Sequence, residues 1–247
     1  MSDRMNSAVP GGIVDRAAYL ARREQQGRRA EPRVRTVCPV CRKAANTCYC
    51  AHIRSFNAGP TFVILIHPKE NRKRVGTGRL CHLCIRNSEL IAGIDFSGDA
   101  RVREILADPT KWPVVLYPGP NATDIGEAGG ATLAASVPAG RQLVIFVIDG
   151  SWACARKMLR LSANLRALPQ IRFNPPSRSI YQIRRQPKDL CLSSLEAMHF
   201  VIEYLNGTAR WRSEPGHENL LEVFRLMIAQ QLAFVVHPDQ KATRGIR

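Results

Sequence analysis

The segment VCPVCRKAANTCYC brings together Cys38, Cys41, Cys48 and Cys50. Two close pairs of thiols can surround one tetrahedral Zn²⁺, with sulfurs about 2.3 Å from the metal. With all four positions filled by protein, no place is left for substrate. Such a site is expected to be structural, holding together a segment with almost no core of its own. Four unrelated buried thiols are the competing reading, and this density of cysteines favours metal. A second pair, Cys81 and Cys84 in TGRLCHLCIRNSEL, reads differently. A helix capped by Thr77 would place Cys81, Cys84 and Ser88 on one face with Leu80, as small buried side chains. His82 reads there as a surface or core histidine.

The remaining candidates stand where apolar runs end. LVIFVI (143–148) leads into Asp149, Gly150, Ser151 and Trp152, then into the basic, helix-like ACARKM. A carboxylate at the exit of a buried strand can act as a general base, because burial raises the proton affinity of a carboxyl group. It can equally be an ordinary helix cap. His67-Pro68-x-Glu70 follows TFVILI, and Tyr117-Pro118-Gly119 follows WPVVL. Ser193-x-x-Glu196 has the form of a capping box, and helix N-termini offer N–H groups suited to a carboxylate or phosphate. Taken singly, His67 also reads as a satisfied core histidine and Glu196 as nothing more than a cap.

These residues need elements to hold them. TFVILIHP, WPVVLYPG and LVIFVIDG are short unbroken apolar runs ending in Gly or Pro, as fully buried parallel strands do. Helical stretches are expected at 77–91, 152–162, 194–205 and 217–232. The segment PGPNATDIGEAGGATLAASVPAGRQ is expected to be a loop. Its glycines do not form G-x-G-x-x-G after a strand, so a dinucleotide-binding reading loses its main support. The expected architecture is α/β with a mostly parallel sheet, preceded by a small four-cysteine zinc knuckle. The expected boundaries are a basic arm at 1–36, the cysteine module at 37–55, the main domain at 56–235 and a basic tail at 236–247.

The chain has 247 residues, 45% of them hydrophobic, which is enough for a full core. A formal charge of +16, from 36 Lys and Arg against 20 Asp and Glu, favours a polyanionic partner. The run HPKENRKRVGTGR (67–79) holds five basic residues and one Glu, and it points to nucleic acid over a merely solvated loop. No amphipathic basic helix suggests a membrane surface. No apolar run is long enough to span a bilayer and no targeting segment is visible, so a cytoplasmic setting with reduced thiols is expected.

CPVC…CYC, HPKE, TGRL, LYPG, DGSWACARKM, SIYQIR and LSSLEA occur in the order seen in DTW-domain proteins, which this chain resembles from about residue 37 to 235. Ser151 stands in the Thr position of the naming Asp-x-Thr-Trp signature, and Ser194 where Thr usually precedes Leu-Glu-Ala. Both changes keep a hydroxyl. The resemblance implies a fold related to the knotted SPOUT methyltransferases and a tRNA-uridine aminocarboxypropyltransferase. Such an enzyme moves the 3-amino-3-carboxypropyl arm of S-adenosylmethionine to N3 of a uridine and releases methylthioadenosine. It implies Asp149 as the base for the N3 proton, Ser151 as a cap or cofactor contact, and Trp152 as a stacking platform for adenine or an extruded uridine. Tyr117, Pro118, Gly119, Asp149, Gly150, Ser194, Leu195 and Glu196 would line the cofactor pocket. Arg72, Lys73, Arg74, Arg79, Arg156 and Lys157 would meet tRNA phosphates. The residues leave three rivals open: an RNA methyltransferase using the same cofactor, a ribosomal-RNA aminocarboxypropyltransferase, and a non-enzymatic zinc-knuckle RNA-binding protein.

Overall fold

The computed structural model describes residues 36–73, 75–126, 129–181 and 191–236. The N-terminal arm up to residue 35, Arg74 and the tail from residue 237 lie outside them. Strands β1 (Thr61–Ile66), β2 (Ser88–Ala92), β3 (Lys111–Leu116), β4 (Thr123–Asp124), β5 (Gln142–Asp149) and β6 (Gln170–Arg172) form one sheet in the order β2-β1-β5-β3-β6-β4. Every strand pair in it is parallel. The three apolar runs expected to be buried strands are β1, β3 and β5, side by side at its centre. Their register sets Ile66 against Asp149 and Leu116 against Val147, so their carboxyl ends lie level.

Side chains alternate across these strands and fill two cores, one on each face of the sheet. Phe62, Ile64, Val114, Leu143, Ile145 and Val147 face helices α2 (Thr77–Cys84), α7 (Ser194–Asn206) and α8 (Asn219–Val236). Val63, Leu65, Val115, Val144, Phe146 and Ile148 face α3 (Ala100–Ala107) and α5 (Trp152–Leu161). Short helices α1 (Pro68–Asn71) and α6 (Ala163–Arg166), with α4 (Gly129–Ser136), complete the α-helices among the described residues, and 3₁₀ turns lie at Ala45–Thr47 and Cys50–His52. Cys41 and Tyr49 pack in the same core as Phe56, Leu80, Cys81 and Cys84.

Two expectations are corrected. The helix expected over 77–91 ends at Cys84, and its cap is Gly76, with Thr77 as the first helical residue. Ile85 turns extended, and Ser88–Ala92 becomes strand β2 on the edge beside β1, so Ser88 does not share the face of Cys81 and Cys84. Ser88 Oγ instead donates to the Ile85 carbonyl at 2.6 Å, closing the turn between the two elements. The segment expected to be a loop after Gly119 contains β4 and α4. Helix α3, capped by Asp99 at the N–H groups of Arg101 (3.0 Å) and Val102 (3.2 Å), is a further element absent from the sequence-based expectation.

Candidate active site and cysteine cluster

The carboxyl ends of β3, β5 and β6 open into a cavity of about 340 Å³, within the range of about 300–1,000 Å³ common for small-molecule sites. Such crevices at strand carboxyl ends are where open parallel sheets bind ligands. Leu116, Tyr117 and Pro118 wall it from β3, and Val147, Ile148 and Gly150 from β5. Trp152 and Ala155 contribute from α5, Ile171 to Pro175 from β6 and its exit, and Ser193, Ser194 and Ala197 from α7. Trp152 is 39% exposed, an unusual position for a large indole. The walls are mostly apolar, and serine hydroxyls and a helix N-terminus form one side.

Two serine-capped helices meet this cavity. Ser151 caps α5, accepting from the Cys154 N–H at 3.3 Å. Gly150 before it is tightly enclosed, since a Cβ there would lie 3.2 Å from Cys154 Cβ. Ser193 caps α7 in a full capping box with Glu196. Glu196 Oε2 accepts from Ser193 N (2.8 Å) and Ser179 Oγ (2.7 Å), and Oε1 from Ile180 N (2.7 Å). The carboxylate therefore ties the cavity-wall strap at 179–181 to the helix. Tyr181 extends that tie by donating its hydroxyl to the Val75 carbonyl at 3.0 Å.

Asp149 is 5% exposed and sits one layer behind the cavity surface. Its Oδ1 accepts from Ser194 Oγ at 2.5 Å, and Ser194 is the group that faces the cavity. On its other side a Cβ on Gly78 would stand 2.5 Å from Oδ2, so α2 can approach only because that residue is glycine. The N-terminal turns of α2 and α7, which carry partial positive charge, thus converge on one carboxylate. Its backbone carbonyl accepts from His67 N at 2.9 Å, and His67 in turn caps α1 by accepting from Lys69 N at 3.1 Å.

Of the expected cofactor residues, Tyr117, Pro118, Gly150 and Ser194 line the cavity, whereas Asp149, Leu195 and Glu196 support that wall from behind. Gly119 lies outside the lining, where a Cβ would meet Gln170 Oε1 at 1.9 Å. Among the expected phosphate contacts, Arg156 and Lys157 are exposed on α5, the helix that carries Trp152 to the cavity. Arg72 and Lys73 are exposed after α1, with Lys73 Nζ 2.7 Å from Glu70 Oε1. Arg79 is partly buried, 2.5 Å from Asn71 Oδ1, and desolvation lowers its pKa. Arg74 lies outside the described residues. Sequence reasoning missed Gly78 and the β6 exit. The glycine of TGRL was the only trace of the first, and a three-residue strand leaves no periodic signal for the second.

The four N-terminal cysteines come together. Cys38 and Cys50 Sγ lie 3.7 Å apart, Cys41 and Cys48 Sγ 3.6 Å, and all four sulfurs fall within 4.8 Å of one another. Tetrahedral zinc–thiolate bonds of about 2.3 Å require sulfur–sulfur separations of about 3.8 Å, so the set fits the ion. N–H groups of Cys41 and Val40 pull the Cys38 thiol down to about 6, while burial pushes Cys41 and Cys50 up. A divalent cation would relieve that conflict by holding all four as thiolates. Cys81 and Cys84 are fully buried, and desolvation raises both thiols, as expected of core residues.

The DTW domain matches residues 35–232. The chain belongs to the DTW-domain family. This DTW chain is 26% identical over 175 residues to the mouse (Mus musculus) protein named tRNA-uridine aminocarboxypropyltransferase 2, covering 69% of the chain and 57% of that relative. It is 27% identical over 172 residues to the Drosophila melanogaster protein of the same name, covering 67% and 64%. A Macaca fascicularis protein, again of that name, is 25% identical over 175 residues, covering 69% and 57%. The DTW chain thus spans less than two thirds of each of these relatives. No solved structure gave a significant match. No helix among the described residues is long and apolar enough to cross a membrane.

Proposed function

We propose that this DTW protein is a cytoplasmic tRNA-modifying transferase that moves the aminocarboxypropyl group of S-adenosylmethionine to N3 of a tRNA uridine. The observation that carries the reading is the cavity: in a chain of this family, Tyr117, Pro118, Gly150, Trp152 and Ser194 from separate motifs face one crevice at parallel-strand ends. We take the all-parallel sheet as SPOUT-like, and knotted, as the resemblance implies. We take residues 37–55 as a structural zinc module, with Cys38, Cys41, Cys48 and Cys50 holding the ion, ahead of a catalytic domain at 56–235.

The donor supplies an activated electrophile, an aminocarboxypropyl carbon bound to a sulfonium sulfur that can leave as a neutral thioether. The N-terminus of α7 suits the donor's carboxylate, and the apolar walls from β3 and β5 suit its adenosine. Trp152, exposed at the mouth, offers a stacking face to a uridine splayed out of folded RNA. Arg156 and Lys157 on the same helix bind the flanking phosphates, joined by Arg72, Lys73, Arg74 and Arg79. Uridine N3 must lose its proton before it attacks. Ser194 Oγ takes that proton while its own passes to Asp149 Oδ1, 2.5 Å behind it. Attack then forms the N3–carbon bond as the carbon–sulfur bond breaks, and neutral methylthioadenosine leaves.

Incubation with bulk tRNA and S-adenosylmethionine, followed by digestion and mass analysis of the nucleosides, tests this. The expected product is a uridine heavier by one aminocarboxypropyl group. A methyl-sized gain would indicate a methyltransferase, and labelling confined to ribosomal RNA would name the other substrate. No modification and no donor binding would leave a zinc-knuckle RNA-binding protein.

A further inference from the structure

Halfway along α7, His199 and Glu203 lie one turn apart on the same helix face, and His217 reaches them from the segment before α8. One ligand atom from each falls within 4.8 Å of the other two. His217 Nε2 is hydrogen-bonded to Glu203 Oε1, and His199 Nε2 stands 3.9 Å from the same oxygen. The imidazoles stack with centroids 5.7 Å apart and planes 23° from parallel. His199 is 7% exposed, and its Nδ1 has no hydrogen-bond partner among the described residues.

Hydrogen bonding alone explains this arrangement poorly. Two rings face one carboxylate oxygen, and only His217 comes within hydrogen-bonding distance of it. An imidazole in its neutral form carries one nitrogen lone pair that a metal can take. Two imidazole nitrogens and one carboxylate oxygen, each able to bind at about 2.0–2.2 Å, are a common donor set for zinc and its first-row neighbours. His217 has the outer partner that such ligands usually have. Ser213 Oγ lies 3.4 Å from its Nδ1, and the tautomer donating there leaves Nε2 for a metal. The Glu203 side chain is 44% exposed, so water can complete the coordination.

We propose that His199, Glu203 and His217 form a second metal site, distinct from the cysteine set, that takes a borderline divalent cation such as Zn²⁺. Bound there, the ion fastens the 207–218 segment to α7. It also reaches the cavity through ring contacts. His199 packs edge-on against Phe200 at 5.5 Å, and Phe200 lies 6.0 Å from Phe173, a cavity-wall residue. Holding this cluster therefore steadies one wall of the donor site.

The test is the zinc content of the full chain after extensive desalting, for the unsubstituted protein and for His217→Ala and Glu203→Gln. Both positions are at least partly accessible, and circular dichroism checks that each variant folds. Each variant is expected to hold about one zinc ion per chain fewer than the unsubstituted protein, whatever the cysteine set retains. The Co²⁺ difference spectrum, unsubstituted protein minus either variant, should be a weak ligand-field band without thiolate charge transfer, since the cysteine set contributes equally to both. Added Zn²⁺ should raise the melting temperature of the metal-stripped unsubstituted protein more than that of either variant. Equal zinc content in all three proteins, or zinc at this site that desalting removes, overturns the proposal. None of these readings depends on tRNA modification.

Discussion

The helices α5 and α7 both turn serine-capped N-termini toward the same cavity, but they are anchored differently. At α5 a single hydroxyl, Ser151, satisfies one N–H at 3.3 Å, and the next residue is the exposed Trp152. At α7 the cap is locked reciprocally by Glu196, which also holds the 179–180 strap, and Ser194 is fixed to Asp149. On the proposed function, the lightly anchored α5 side is the surface that receives and releases RNA. The α7 side is the more firmly fixed wall, and on the proposed function a misplaced atom there costs most because reacting groups need near-attack geometry.

If that contrast is right, the largest effect falls on the pair at α7. Asp149→Asn and Ser194→Ala should each lower turnover by a factor on the order of 10² to 10⁴, with donor affinity by calorimetry nearly unchanged. Raising the pH should partly restore Asp149→Asn, because more uridine ionises unaided, and a merely structural role would show no such rescue. Near-normal turnover would move the base elsewhere, with Glu70 the next carboxylate to test. Weakened donor binding would instead make Asp149 a holder of the donor's ammonium group. Next comes Glu196→Gln, which disturbs three hydrogen bonds to a buried carboxylate. It should cost about 2–3 kcal/mol in denaturant unfolding. Ser151→Ala, its counterpart on α5, should cost only about 1 kcal/mol, and equal losses would erase the distinction between the two caps. Trp152→Ala should change stability by less than about 0.5 kcal/mol yet raise the KM for tRNA. Away from both helices, chelation should open Cys38, Cys48 and Cys50 to alkylation while the fully buried Cys81 and Cys84 stay unmodified by mass spectrometry.

The sequence showed what is locally encoded. β1, β3 and β5 are unbroken apolar runs, the Ser193–Glu196 box has its residues three apart, and the four thiols lie within one short segment. The edge strand β2 was hidden because only Ile91 of its five residues is fully buried, so its pattern merged with the preceding helix. β4 and β6 are two and three residues long, below any readable period. The Asp149–Ser194 contact joins residues 45 apart, and the pressure of Gly78 on that carboxylate comes from a different element again. Asp149 was recognisable as a candidate from its place at a strand end. That it sits behind a serine, without itself facing the cavity, depends on packing that no single segment encodes.

The strand order carries a consequence for how the molecule is made. β5 lies between β1 and β3, so the two earlier strands are neighbours of a segment synthesised well after both of them. A nascent chain ending after β3 has no way to zip its central sheet. Its apolar edges remain open until residues 142–149 slide between them. The last residue of that late wedge is Asp149, so the cavity beside it cannot take shape before the sheet closes. Half-made chains therefore lack the cavity, and its assembly reports that the central sheet has closed.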